Sequence, residues 1–207
     1  MEIKPWDARA AYFLVRPFKD SWVTPNHFTT LRLMAGLGSG AAFASGRWPN
    51  LGACLFVLSN FLDHTDGELA RLSGKSSRLG HFYDLACDAI VHILLFVSIG
   101  IGLHALGRGV WTVPLGLIAG LGVAVVFHLR NKIEQRLGKA AVRQPRLLGF
   151  ELEDVLYLLP LVTLLNGLLP FLITAAIGAP IGAVLVTRQF LRMREWNAPY
   201  ISKTTPP

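Results

Sequence analysis

Residues 51–72 read LGACLFVLSNFLDHTDGELARL, and residues 80–106 read GHFYDLACDAIVHILLFVSIGIGLHAL. The first stretch is apolar and then acidic; the second is acidic and then apolar. Each is near the ~20 residues with which a helix crosses a ~30 Å hydrocarbon core. Asp63 and Asp66 are three apart, and Asp84 and Asp88 four apart, so each pair shares a helix face. A connection of about eight residues folds the two helices into an antiparallel hairpin. Four carboxylates then meet at one depth. Each costs about 2.5–3.5 kcal/mol in a membrane segment, and together they repel. The natural compensation is one or two divalent cations that favour hard oxygen ligands, Mg2+ or Mn2+. Arg71, Lys75 and Arg78 add positive charge beside them, and Gly67 and Gly80 leave room for backbone or ligand.

The rest of the chain agrees with a membrane setting. Hydrophobic residues make up 52% of the 207, and charged residues 16%, against about 25% in soluble domains. Mean hydropathy is +0.45. A soluble domain of this size buries only about 70% of its unfolded surface, too little to hide this much apolar area. Disorder is excluded by the same composition. Further apolar runs lie at about 28–46, 110–129, 152–169 and 171–186, the third of them short and punctuated by Asn166-Gly167 and Pro170. They are too continuous for barrel strands with alternating faces. The expectation is an all-α integral membrane protein of six transmembrane helices. No internal repeat is visible. Cys54 and Cys87 form neither a disulfide framework nor a zinc site.

The first twenty residues mix acids, bases and a proline and do not read as a secretory signal. Trp6, Ala10, Phe13, Leu14 and Pro17 recur at helical spacing, which suits an interfacial helix; a solvated tail is the alternative. The domains expected are an N-terminal interfacial helix over 1–23, a membrane domain over 24–194 and a tail over 195–207.

The bases set the orientation. Lys4, Arg9, Arg16 and Lys19 precede the first span, and Arg71, Lys75 and Arg78 lie between the second and third. Arg130, Lys132, Arg136, Lys139, Arg143 and Arg146 lie between the fourth and fifth, and Arg188, Arg192, Arg194 and Lys203 follow the sixth. Of the 20 lysines and arginines, only Arg47 and Arg108 fall in the opposite loops, with Arg32 inside the first span. Both termini are therefore expected in the cytoplasm. The net charge of +7 then faces membrane lipids, which argues against a nucleic-acid partner.

Metal-bound carboxylates at a cytoplasmic boundary suit a phosphate-bearing substrate. A carboxylate outside the metal shell can deprotonate an attacking hydroxyl. The pattern D-x2-D-G-x2-A-R-x8-G-x3-D-x3-D resembles the signature of the CDP-alcohol phosphotransferase family at all eight fixed positions. Thr24-Pro25-Asn26-His27-Phe28-Thr29-Thr30-Leu31-Arg32 is also similar to the family's segment leading into its first helix.

The resemblance implies a six-helix membrane enzyme, commonly a homodimer. It moves a substituted phosphate from a CDP-alcohol donor to an alcohol acceptor and releases CMP. It implies that Asp63, Asp66 and Asp84 bind the metals with Asp88 near them, that Asp88 is the base, and that Gly67, Ala70, Arg71 and Gly80 receive the CDP moiety. In relatives with a phosphorylated acceptor, bases on later helices hold that phosphate; Arg130, Lys132, Arg136, Arg188 and Arg192 are candidates by location. CDP-diacylglycerol is the donor expected, with phospholipid or polar-lipid synthesis as the setting and an inner membrane as the site if the source is bacterial. CDP-inositol is the alternative donor, since Asp66–Arg71 also resembles members that transfer inositol phosphate groups.

Plainer readings stand beside these. An acidic pair in a membrane helix also suits an ion relay, so a small transporter is the competing class. The bases between 130 and 146 would also attract anionic lipid. His64 and His81 lack a closed zinc ligand set and are expected to line the headgroup boundary or orient a carboxylate. His92, His104 and His128 read as packing or interfacial residues, and Arg32 as a side chain snorkelling to the interface. Glu151, Glu153 and Asp154 suit a helix start or an acceptor contact.

The orientation is testable in intact cells. In a background lacking Cys54 and Cys87, cysteines placed near Arg47 and Arg108 should react with an impermeant maleimide, and those near Lys75 and Lys139 should not. The reverse pattern would mean that the spans are wrongly assigned.

Overall fold

The computed structural model describes residues 6–137 and 154–201, with side chains described over 9–133 and 156–192. Among these residues there are helices and no strand. α1 is Trp6–Val15, α2 Pro25–Ala44, α3 Pro49–Ser73, α4 Arg78–Ala105, α5 Thr112–Leu137, α6 Leu159–Leu164 and α7 Leu168–Ile201. Short 3-10 turns cover Arg16–Phe18 and Asp154–Leu158.

The helix starts follow from the local sequence. Pro25 opens α2 with its φ already helical, while Thr24 stays extended and donates its backbone N–H to His27 Nδ1 at 3.0 Å. α3 ends on Gly74, whose φ of +67° closes the helix in the left-handed region. Ser77 caps α4 by accepting the Gly80 N–H at 2.9 Å. Only residues 74–77 join α3 to α4, so the hairpin is tighter than the sequence implied. Lys75 reaches back to the carbonyls of Ser21 and Val23 and away from the aspartates.

α2 packs on α3 and α4, α5 lies between α4 and α7, and α1 and α6 rest against α3. Close approach comes from small residues. Gly36 and Gly40 of α2 meet Val91 and Leu94 of α4, and Gly116 and Gly120 of α5 meet Phe96 and Ile93 on the same helix. These are small-xxx-small stripes, which let helices come together where lipid offers no hydrophobic drive. Phe43, Phe56, Leu95, Phe96, Ile99 and Leu172 form the centre of the apolar core.

Polar groups lie inside and apolar ones outside. Thr29, Arg32, Ser59, Thr65, Asp66, Glu68 and His92 are buried, whereas Leu117, Leu121, Ile177, Ile181 and Leu185 are exposed. That inversion fits a hydrocarbon surround. Arg78–Ala105, Thr112–Ile133 and Leu168–Arg192 are long and apolar enough to cross a membrane. α2 and α3 have 20 and 25 residues, enough for a crossing, but the acids of α3 and the polar first turns of α2 dilute their apolar character.

The described part of the fifth segment is a 3-10 turn followed by the six residues of α6. In α1, Ala11 and Val15 are the buried residues against α3. Phe13 and Leu14 stay exposed.

A Cβ at Gly116 would meet the backbone of Phe96, which cannot yield, whereas one at Gly178 meets nothing within 4 Å. Gly116→Ala should therefore cost about 1–3 kcal/mol, as overpacking does, and Gly178→Ala should cost nothing. Thermal unfolding in detergent, followed by circular dichroism, checks the pair.

Candidate active site

The site begins with two residues one turn apart on α2. Thr29 donates its hydroxyl to Asp66 Oδ2 at 2.8 Å, where both are buried. Arg32 is 2% exposed. It extends its guanidinium between α3 and α4, pairing through Nη1 with Asp63 and with Asp84 at 2.9 Å, and through Nη2 with Asp88 at 2.5 Å. Ser59 donates to the Arg32 carbonyl at 2.9 Å and holds that turn of α2 against α3. Arg32 thus does not snorkel. It is the buried counter-charge of the aspartates, and it reads as functional only when three helices are assembled.

Oxygens of Asp63, Asp66 and Asp84 lie within 4.8 Å of one another. Three hard oxygen donors so close suit Mg2+ or Mn2+ and would not suit a soft metal. Asp88 lies outside this trio. Its Oδ1 faces Arg32 and also His92 Nδ1, at 3.1 Å. His92 is buried between Phe56 and Phe127, so it packs as expected but also touches the acid.

The remaining candidates are spread around this centre. Arg71 is exposed and pairs at 3.0 Å with the buried Glu68. Gly67 lies beside it, and a Cβ there would have the Arg71 guanidinium as its nearest neighbour, at an ordinary contact distance of 3.6 Å. Ala70 is half-buried on the same helix. Gly80 has a structural reason of its own: a Cβ there would meet Asn26 Oδ1 at 2.8 Å and Ser77 Oγ at 3.0 Å. The missing side chain lets the first turns of α2 and α4 close together. His64 Nδ1 is 3.1 Å from the Asn60 carbonyl and 3.4 Å from the Tyr157 hydroxyl, and His81 is exposed.

Among the later bases, Arg130 is half-buried, and Lys132, Arg188 and Arg192 are exposed. Gly120 of α5 lies beside Ile93 of α4, and Gly122 beside Ala179 of α7. Counting along these registers brings Arg130 and Arg188 level with the start of α4, the end that carries Asp84. The side chain of Arg136 lies outside the described residues, as do Lys139, Arg143, Arg146, Glu151 and Glu153 and the side chain of Asp154.

Three carboxylates that could hold a metal ion thus gather at the ends of two helices in a chain with three helices long and apolar enough to cross a membrane. Residues 22–187 match the family model of CDP-alcohol phosphatidyltransferase, and the chain belongs to that family. It is a transferase family whose members take a phosphate group from a CDP-alcohol and depend on a divalent metal. The chain is also similar to a bifunctional IPC transferase and DIPP synthase of Archaeoglobus fulgidus, with 27% identity over 149 residues. The match covers 70% of this chain and 29% of that relative.

Arg32 is the partner whose loss should be felt most. Arg32→Gln leaves three carboxylates facing one another, so stability in detergent should fall by about 3 kcal/mol. That is the low end for a broken buried pair, because Asp63 and Asp84 keep a third of their surface. Adding Asp84→Asn should recover part of the loss. Chemical denaturation of the single and double variants measures both.

Proposed function

We propose that this chain transfers a substituted phosphate from a CDP-alcohol, with CDP-diacylglycerol as the donor, to an acceptor hydroxyl, releasing CMP. The observation that carries the proposal is the Asp63–Asp66–Asp84 trio within a family whose donors are CDP-alcohols. In this reading those aspartates hold Mg2+ or Mn2+, as two ions. Such cations, when bound, neutralise the diphosphate oxygens and the charge that develops on them. Thr29 keeps Asp66 turned toward the trio, and Glu68 holds Arg71 where a diphosphate would meet it. Gly67, Ala70 and Gly80 leave space for the nucleotide.

Asp88 takes the proton. Both donors that reach it meet Oδ1, which leaves the lone pairs of Oδ2 for the acceptor hydroxyl. As the proton moves to Asp88, the acceptor oxygen bonds to the β-phosphorus. The bond from that phosphorus to the bridging oxygen breaks, and CMP leaves with the bridging oxygen. Arg130, Lys132, Arg136, Arg188 and Arg192 are the groups we assign to an acceptor phosphate. We place the active site on the cytoplasmic face of six crossings, in an inner membrane if the source is bacterial, within a homodimer whose membrane domain covers 24–194. The setting is phospholipid or polar-lipid synthesis. CDP-inositol is the second donor, supported by the wording of Asp66–Arg71.

Purified protein supplied with a panel of CDP-alcohols and acceptors tests this. CMP release should stop in chelator and return with Mg2+ or Mn2+. Asp63→Asn, Asp66→Asn and Asp84→Asn should weaken metal or nucleotide binding together with rate. Asp88→Asn should retain more of the donor affinity and lose about 10²–10⁴-fold in single-turnover rate, the range for a general base. Full activity in excess chelator would remove the metal role. If no CDP-alcohol is cleaved and ions cross proteoliposomes instead, the acidic site belongs to a transporter.

A further inference from the structure

The geometry points to His92 as the residue that positions the Asp88 carboxylate, its Nδ1 standing against Oδ1 so that Oδ2 faces the acceptor hydroxyl. The inference rests on the reading above that Asp88 accepts the proton. His92 lies one turn after Asp88 on α4, on the same face. Its Nδ1 is 2.8 Å from the Asp88 carbonyl and 3.1 Å from Asp88 Oδ1. Both neighbours are acceptors, so Nδ1 carries the hydrogen. The other ring nitrogen, Nε2, is buried without a hydrogen-bond partner among the described residues. A lone pair there costs less than an unpaired N–H would, which favours the same assignment.

The ring itself cannot turn away. Phe56 of α3 meets it edge-on at 5.9 Å between centroids, and Phe127 of α5 covers it at 4.7 Å. His92 is 3% exposed, so it lies behind the acid with no access to a substrate. It therefore acts through Asp88 and is a positioning residue. Arg32 also reaches Oδ1 at 2.5 Å, but it is shared with Asp63 and Asp84. Among the described residues His92 pairs with Asp88 and with no other acid.

Packing and positioning make opposite demands on two substitutions. His92→Phe keeps a ring between Phe56 and Phe127 and removes the donor. It should match or exceed the parent in thermal stability, since it also removes an unpaired polar atom. Its kcat should fall about 10–10²-fold, the scale of a misplaced reacting group, with KM for the CDP-alcohol within about twofold. His92→Asn offers an amide N–H near the position of Nδ1 but leaves a cavity. It should be less stable than His92→Phe and yet turn over closer to the parent rate. Because His92 works through Asp88, adding His92→Phe to Asp88→Asn should cause little further loss.

The measurements are steady-state CMP release, donor KM and thermal unfolding for the four variants and the parent. His92→Phe turning over at the parent rate while Asp88→Asn is inactive would overturn the positioning role alone. Activities that simply follow stability would leave His92 as a packing residue and overturn it as well. Asp88→Asn at the parent rate would remove the base, and the role of His92 with it.

Discussion

One guanidinium facing three carboxylates across three helices sets the shape of the polar end of this protein. Arg32 comes from α2, Asp63 from α3, and Asp84 and Asp88 from α4. In a low-dielectric surround none of these charges is affordable alone, and each becomes tolerable only when the others arrive. The network therefore specifies which faces of α2, α3 and α4 must meet. Thr29 on Asp66, and Ser59 on the Arg32 carbonyl, lock the same faces with neutral hydrogen bonds. The acids that could hold a metal and the packing of the helices thus share one set of side chains.

Below that end the helices are held by shape. Glycines at 36 and 40 admit Val91 and Leu94, and glycines at 116 and 120 admit the backbone of α4. α4 becomes the axis on which α2 and α5 lie, and it carries Asp84, Asp88 and His92 along one line. The aromatic contacts of His92 with Phe56 and Phe127 join the apolar core to the acidic end. Rigidity in the core is thereby passed to the Asp88 carboxylate. α5 and α7 carry little of this network, and their outer faces are left apolar toward lipid.

Much of the site was legible before any coordinates. Asp63, Asp66, Asp84 and Asp88 sit at spacings of three and four in two neighbouring helices, and that alone predicts a convergent acidic cluster. Arg32 was visible as a charge inside an apolar run, and the reading as an interfacial side chain was the wrong choice of two. Its partners lie 31, 52 and 56 residues away, so no local pattern could choose between them. His92 sat at i+4 from Asp88 in plain view, yet an apolar helix hides whether a histidine faces lipid, core or acid. Which residues of α1 meet the protein is likewise not legible from the sequence. A short helix offers apolar residues on several sides, and α3 selected Ala11 and Val15.

By itself the sequence determined the solvent, the helical class, the acidic hairpin and the family, because each of these depends on composition or on spacings within one or two helices. Only the tertiary structure decided that Arg32 neutralises the aspartates, that Thr29 orients Asp66, that His92 stands behind Asp88 and that Gly80 is small for the sake of Asn26 and Ser77. The physical reason is common to all four. A buried polar group takes its role from the partner that satisfies it, and that partner comes from another helix, or from the face of its own helix that the other helices enclose.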